Sequence, residues 1–192
     1  MEKDTVYFRG QTDISSYMLY ANLACNFEPF ELSVNTDLLS GTKEASTYKY
    51  YTDYKEFNTF DNPYSTRHSI FGYMDYFNDI RKSTKNLGVN DYFLRIIYTP
   101  KSPYYGQLDL HYFSTNQPYS MPDNSLKSDL GIELDFVFRY IFMKDVSVEW
   151  GGGIFSQGDA MKEIYKVTVK DVVYYRDKMC YWSYLMLRAS IF

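Results

Sequence analysis

Two acids set two residues apart, Glu133 and Asp135, are the first feature of this sequence that could do chemistry. On a strand, side chains at i and i+2 share a face, so their carboxyls would stand roughly 7 Å apart, a separation at which inverting glycosidases work. Such catalysis needs one carboxyl that stays protonated to act as general acid. Arg139, on the same face, and cations from neighbouring strands offer both carboxylates ion-pair partners instead, and any polar strand face repeats acids at this spacing. No catalytic residue is assigned on this basis, and no enzyme is expected. The two histidines, His68 and His111, combine with scattered acids into no recognisable metal site, so neither metal nor cofactor is expected. The sequence holds no Ser/His/Asp order, cysteine pair or Gly-rich phosphate loop with a following helix. A formal net charge of −4 without a basic cluster argues against nucleic acid as a partner.

The element that must position Glu133 and Asp135 is the run LGIELDFVFRYIF at 130–142. Leu130, Ile132, Leu134, Phe136, Phe138, Tyr140 and Phe142 take every second place, and Gly131, Glu133, Asp135, Val137 and Arg139 fill the gaps. That period of two predicts one strand with an apolar face and a charged face. At about 3.4 Å per residue its apolar positions span roughly 40 Å, enough for a tilted strand to cross a hydrocarbon layer of roughly 30 Å.

Composition agrees with this reading. The chain has 192 residues with 22 Tyr and 14 Phe, against 10 Gly and 2 Trp. Aromatic residues favour strands, and in membrane barrels they gather at both interfaces. No run approaches the roughly 18 apolar residues of a membrane helix, so contact with a bilayer would require a closed sheet. A mean hydropathy of −0.41 is no objection, because alternation hides the apolar face in the average. Met1 is followed by Glu2, Lys3 and Asp4 rather than an apolar stretch, so either a leader has been removed or the chain is a fragment. Cys25 and Cys180 lie far apart in sequence, which leaves a disulfide open but unsupported.

Read in order, residues 1–14 hold only a fragment of strand pattern at Val6, Tyr7 and Phe8. Strands are then predicted over 16–26, 30–38 and 88–98, each with alternating faces. A further strand at 106–112 follows the turn PKSPYY, in which Pro100 and Pro103 stay out of the ladder. Next come a loop at 115–128, the strand at 130–142, and its partner from Val146 to Trp150. Gly151, Gly152 and Gly153 are expected to loosen that partner. Residues 156–177 read as a loop that extends its flanking strands as a hairpin. The chain closes with MCYWSYLMLRASIF, in which Leu185, Leu187, Ala189 and Ile191 form the apolar phase and Phe192 falls on the other.

In a meander barrel, connections alternate between an inner rim of short turns and an outer rim of long loops. The predicted connections obey this only if 67–77, apolar on both sides, is not a wall strand. It is placed inside the outer loop at 40–86, folded into the lumen. Seven wall strands result, or eight with the N-terminal segment. The expected fold is therefore all-β: an antiparallel transmembrane β-barrel of outer-membrane type, of which 1–192 forms a single portion, the C-terminal seven or eight strands of a larger barrel.

The runs FDNPYSTRHSIFGYMDYF, LGVNDYFLRIIY, LGIELDFVFRYIF and WSYLMLRASIF resemble, in this order, the C-terminal half of the alginate-export-like porins of Bacteroidetes outer membranes. The matches fall on Phe60, His68, Gly72, 74–77, Gly131, Glu133, Asp135, Trp182 and Phe192, within roughly residues 30–192. The resemblance implies an outer-membrane channel of about eighteen antiparallel strands for polysaccharide or small solutes.

On this reading Glu31, Asp37, Asp91, Asp109, Glu133, Asp135 and Glu149 line the pore together with Arg95, His111 and Arg139. Arg67, His68, Tyr73 and Asp75 belong to a constriction loop. The expected partners are outer-membrane lipid, a small polar solute or polysaccharide, and the barrel-assembly machinery, which would meet the terminal strand ending in Phe192. The excess of acids over Arg95, Arg139 and Arg188 predicts a preference for cations and neutral sugars over a polyanion such as alginate. A soluble β-sandwich or ligand-binding β-barrel is the alternative.

Overall fold

The computed structural model describes residues 13–43, 56–60, 71–101, 103–169, 172–174 and 179–189. Seven long strands make one antiparallel sheet: β2 (Met18–Phe27), β3 (Phe30–Leu39), β5 (Val89–Tyr98), β6 (Tyr104–Ser120), β7 (Leu126–Met143), β8 (Val146–Gln157) and β11 (Cys180–Ala189). Their order in the sheet is β11-β8-β7-β6-β5-β3-β2, so each pairs with its neighbours among the long strands along the chain. Smaller elements sit in the connections. β1 (Asp13–Ile14) pairs in parallel with β4 (Glu56–Phe57), and β9 (Val167–Val169) forms a hairpin with β10 (Val172–Tyr174). Two short helices, α1 (Ile80–Ser83) and α2 (Asp159–Ile164), complete the set.

The chain is thus mostly antiparallel sheet, and the strand pattern read from the sequence is the observed one. A closed barrel is not observed. The outer edges of β2 and β11 have no strand partner among the described residues, and seven strands fall short of the roughly eight that the smallest barrels need. Two loop expectations also change. β6 and β7 continue as a projecting hairpin, so most of 115–128 is strand and the connection shrinks to 121–125. Within 156–177 lie α2 and the β9–β10 hairpin rather than a plain extension of the flanking strands. Cys25 and Cys180 form no disulfide.

β2, β5 and β7 end at one end of the sheet, and β3, β6 and β8 at the other. The apolar core lies at this second end, on one face only. It is built from Leu39, Leu87, Val89, Phe113, Leu130 and Phe155 of the sheet and its approaches, covered by Phe71, Phe77 and Ile80 and by Ala160, Met161 and Ile164 of α2. Phe77 packs on Phe113 at a ring-centroid distance of 4.6 Å, and Tyr76 on Phe155 at 4.6 Å. Fully burying each such ring contributes roughly 1.5–3 kcal/mol, so this cluster fixes residues 71–87 against the sheet. Leu130 was expected on the exposed apolar face of β7 but is wholly buried in this core. Irregular pairing beside Phe113 and Gly131 inserts an extra residue in β7, and a bulge of that kind redirects a side chain.

The remaining sheet is inside out relative to a soluble protein. Ile132, Leu134 and Phe138 are exposed, whereas Glu133, Asp135 and Val137 between them are buried. The same inversion holds on β6, where Leu108, Leu110 and Tyr112 are exposed while Asp109, His111 and Phe113 are buried. Aromatic side chains border the exposed apolar band. Along the short-turn end, Phe27, Phe30 and Tyr98 contact one another in sequence, as do Tyr104, Tyr140 and Phe142. Towards the other end, Tyr92 stacks on Tyr112. From Tyr104 to Tyr112 is about 27 Å at roughly 3.4 Å per residue.

Candidate functional site

The buried polar face runs across β3, β5, β6, β7 and β8, and register decides which charges meet. Arg95 stands opposite Asp109 and makes a bidentate pair with it, Nε to Oδ1 at 2.8 Å and a terminal nitrogen to Oδ2 at 2.7 Å. Gln107 donates to the same carboxylate at 2.7 Å and accepts from the Tyr105 hydroxyl at 2.6 Å. Arg139 stands opposite Glu149 and donates to Oε2 through Nε at 2.8 Å and through a terminal nitrogen at 2.5 Å. Glu149 Oε1 accepts from the Tyr184 hydroxyl at 2.8 Å and from Arg188 at 3.4 Å. Bidentate, charge-assisted bonds of this kind are about twice as strong as neutral ones.

His111 lies between the rings of Phe93 and Phe113, with centroids 4.6 and 5.3 Å away. Its Nδ1 lies 2.9 Å from Asp91 Oδ2, which makes Nδ1 the donor to that carboxylate, and its Nε2 lies 3.8 Å from Asp135 Oδ2. The ladder also places like charges opposite one another, Asp37 facing Asp91 and Asp109 facing Asp135. Such pairs are destabilising when bare. Arg95 is the cation set beside Asp109, and the His111 ring bonds Asp91.

Glu133 and Asp135 have a different role from the one that the sequence assigned. Arg139 goes to Glu149, so the ion-pair partner expected for these two carboxyls is taken, because β8 lies on that side of β7 in the register. Their partners are backbone amides of the segment that covers them. The Met74 N–H donates to Glu133 Oε1 at 2.7 Å, and the Tyr73 N–H to Asp135 Oδ2 at 3.0 Å. Gly72 makes this approach possible. Its φ is +74°, and a Cβ there would lie 2.4 Å from Glu133 Oε1. Glu133 Oε2 and Asp135 Oδ1 are buried with no hydrogen-bond donor among the described residues. On the far side of Asp135, a Cβ on Gly153 would lie 2.4 Å from Oδ1, so that glycine makes room for the carboxyl instead of merely loosening β8.

The expected pore-lining residues therefore share the polar face of the sheet, and most of them are enclosed. Asp37, Asp91, Asp109, His111, Glu133, Asp135 and Glu149 are buried, while Glu31, Arg95 and Arg139 are half-buried. The pairings above tie up most of these carboxylates, so the simple count of acids over bases overstates the free negative charge. Of the expected constriction residues, Tyr73 and Asp75 sit in the covering segment and are half-buried, and burial pushes the Tyr73 phenol well above its ordinary range. Arg67 and His68 lie outside the described residues, as does Phe192. Among the described residues no cluster of metal-ligating side chains occurs.

Sequence reasoning counted Arg188 among the bases of this face but missed Tyr184 and Trp182 as its members next to Glu149. The alternation of β11 already puts 182, 184, 186 and 188 in one phase, which was the available signal. Tyr184 Cε1 lies where a Cβ on Gly151 would come within 2.6 Å, so the phenol lies against bare β8 backbone.

A scan of protein-family models finds no match to this chain. A search of curated proteins finds no match either.

Proposed function

We propose that this chain is a wall segment of an outer-membrane-type β-barrel channel for polar solutes or oligosaccharides, with residues 71–77 folded inside as a constriction. The observation that carries the reading is the inversion of the sheet. Its apolar face is exposed between two aromatic borders about 27 Å apart along the strand, and its charged face is buried and internally paired. A transmembrane barrel presents an apolar band about 25 Å tall to lipid, flanked by aromatic girdles, and turns its polar side chains inward. In water the same face, with Leu23, Val34, Leu110, Ile132, Phe138, Trp150 and Leu187 exposed, would be a large unsupported apolar patch.

The open edges of β2 and β11 are accounted for by closure through further strands, in keeping with the resemblance to alginate-export-like porins. The ladder then continues around the barrel and no edge remains in the hydrocarbon. Two connections at one end, 40–88 and 158–179, are long and the β6–β7 hairpin projects there, whereas the other end carries only short turns, which fits the outer and inner rims of such a barrel. The lipid-facing residues contact outer-membrane lipid, and the terminal strand meets the assembly machinery.

Membrane fractionation followed by planar-bilayer recording of the full protein tests the reading. The expected result is detergent-dependent extraction, heat-modifiable migration on a gel and discrete conductance steps. A protein that stays soluble and monodisperse without detergent would sink it and favour a soluble ligand-binding β domain.

A further inference from the structure

We propose that Glu133 and Asp135 hold one proton between them, shared by Glu133 Oε2 and Asp135 Oδ1, and that this proton makes the grip of the sheet on residues 71–77 tighter in acid and looser as pH rises. The inference rests on the geometry of the covering segment and not on the channel reading.

Both carboxyls lie in the interior, Glu133 0% and Asp135 1% exposed. Each spends one oxygen on the covering segment, Glu133 Oε1 on the Met74 amide and Asp135 Oδ2 on the Tyr73 amide. The other two oxygens, Oε2 and Oδ1, are buried without a donor among the described residues, yet the two side chains lie within hydrogen-bonding reach of each other. Two ionised carboxylates bring only acceptors to such a contact and repel at close range. One proton turns the same contact into a hydrogen bond that satisfies both oxygens, the arrangement by which paired acids elsewhere share a buried site.

Nothing larger fits. A Cβ on Gly72 would lie 2.8 Å from Oε2 and one on Gly153 2.4 Å from Oδ1, so bare backbone closes over both oxygens, and direct contact between the carboxyls leaves no gap for a bridging water. Nor does a fixed cation stand in for the proton. β6 sets His111 opposite Glu133 and Asp109 opposite Asp135, and β8 sets the uncharged Phe155 and Gly153 there. Arg95 is committed to Asp109, and His111 Nδ1 to Asp91. His111 Nε2 stops 3.8 Å from Asp135 Oδ2, too far for a hydrogen bond. The covering segment adds Tyr73, Asp75 and Tyr76, whose phenol is bonded to Cys180, and no base.

When the segment lifts, Glu133 meets water and ionises as an ordinary glutamate does, at about pH 4.3. The closed form then carries one proton more than the open form. Opening is therefore favoured about tenfold for each pH unit above about pH 5.5, until the closed form itself gives up the proton.

Two measurements on the full protein, folded in detergent micelles, test this. Infrared difference spectra of the parent against Glu133→Gln and against Asp135→Asn, taken near pH 6, should each show the loss of one carbonyl stretch of a protonated carboxylic acid, shifted by deuterium exchange. Hydrogen exchange, expressed as protection factors, should show opening at Tyr73 and Met74 rising about tenfold between about pH 6 and pH 7 in the parent. In Glu133→Gln, whose amide is a permanent donor and keeps an acceptor for Met74, the rise should be less than about twofold. His111 is present in both proteins, so its titration cancels in the comparison. Absence of the acid band from both difference spectra, or equal pH slopes in the two proteins, would overturn the proposal in favour of two hydrated carboxylates. Should Glu133→Gln fail to fold, the Asp135→Asn spectrum and the slope of the parent decide alone, and a flat slope refutes. A conducting protein without the band keeps the channel and loses the proton; a protein with the band and no pore does the reverse.

Discussion

Replacing Gly72 by alanine isolates the contact that holds residues 71–77 on the sheet. At φ +74° a non-glycine residue costs roughly 1–2 kcal/mol in backbone strain. The added Cβ would also sit 2.4 Å from Glu133 Oε1, against a side chain that has no room to retreat, because Glu133 is wholly buried. Relief requires the segment to lift, which gives up the amide bonds from Tyr73 and Met74, each worth roughly 0.5–1.5 kcal/mol net. The first effect alone favours local opening by about 1–2 kcal/mol, or roughly 5- to 30-fold in the opening equilibrium at 1.4 kcal/mol per decade. Hydrogen exchange followed by mass spectrometry reads this directly. The Tyr73 and Met74 amides should exchange at least about 5-fold faster in Gly72→Ala, while amides of β6 and β7 below the segment keep their protection. If the chain forms the proposed channel, the same variant should raise its single-channel conductance. Glu133→Leu, which removes the acceptor without straining residue 72, should act in the same direction. Unchanged exchange at Tyr73 and Met74 in both variants would show that the apolar cluster around Phe71 and Phe77, and not the two carboxylates, holds the segment in place.

Three further outcomes follow from the same geometry. Leu134→Arg on the exposed face should lower folding stability in bilayers by roughly 2–4 kcal/mol, whereas the same change at the short-turn end, Phe142→Arg, should cost about 1 kcal/mol or less; equal effects in urea titrations would contradict a lipid-facing band. Arg95→Leu leaves Asp109 buried beside Asp135 with only Gln107 as donor, so a loss of roughly 3–5 kcal/mol is expected in the same assay, and a neutral result would mean that water reaches the pair. Asp79 caps α1 by accepting from the Lys82 N–H at 3.1 Å, and its bond to the Lys82 side chain lowers its pKa. A carboxyl depressed in the folded state stabilises above its unfolded pKa and loses that contribution as pH falls through the folded value. Asp79→Ala should therefore speed exchange of the α1 amides at pH 7, by about 1 kcal/mol of local stability, and change little at pH 2.

The strands, their number and the two faces of each were legible in the sequence because alternation is a local property: adjacent side chains on a strand must point to opposite faces whatever surrounds them. Short turns such as the one at 99–103 were legible for the same reason, since proline excludes itself from a ladder without help from other strands. The two apolar sides of 67–77 were visible too, and the alternation of the connections kept that segment out of the sheet; its described part, 71–77, indeed lies outside it. Partner choice was not legible. Arg139 could reach acids on its own strand or on either neighbour, and only the register that sets it opposite Glu149 selected one. That single outcome left Glu133 and Asp135 to the amides of Tyr73 and Met74, turning an apparent pair of pore charges into the clasp of an inner segment. Leu130 kept perfect alternation in sequence and still changed faces, because a bulge arises from the misfit between two strands and neither strand encodes it alone. The run from Gly151 to Gly153 looked like relief of a strand. Its meaning lies across the ladder, in the ring of Tyr184 and the carboxyl of Asp135, which occupy the space that side chains at Gly151 and Gly153 would fill.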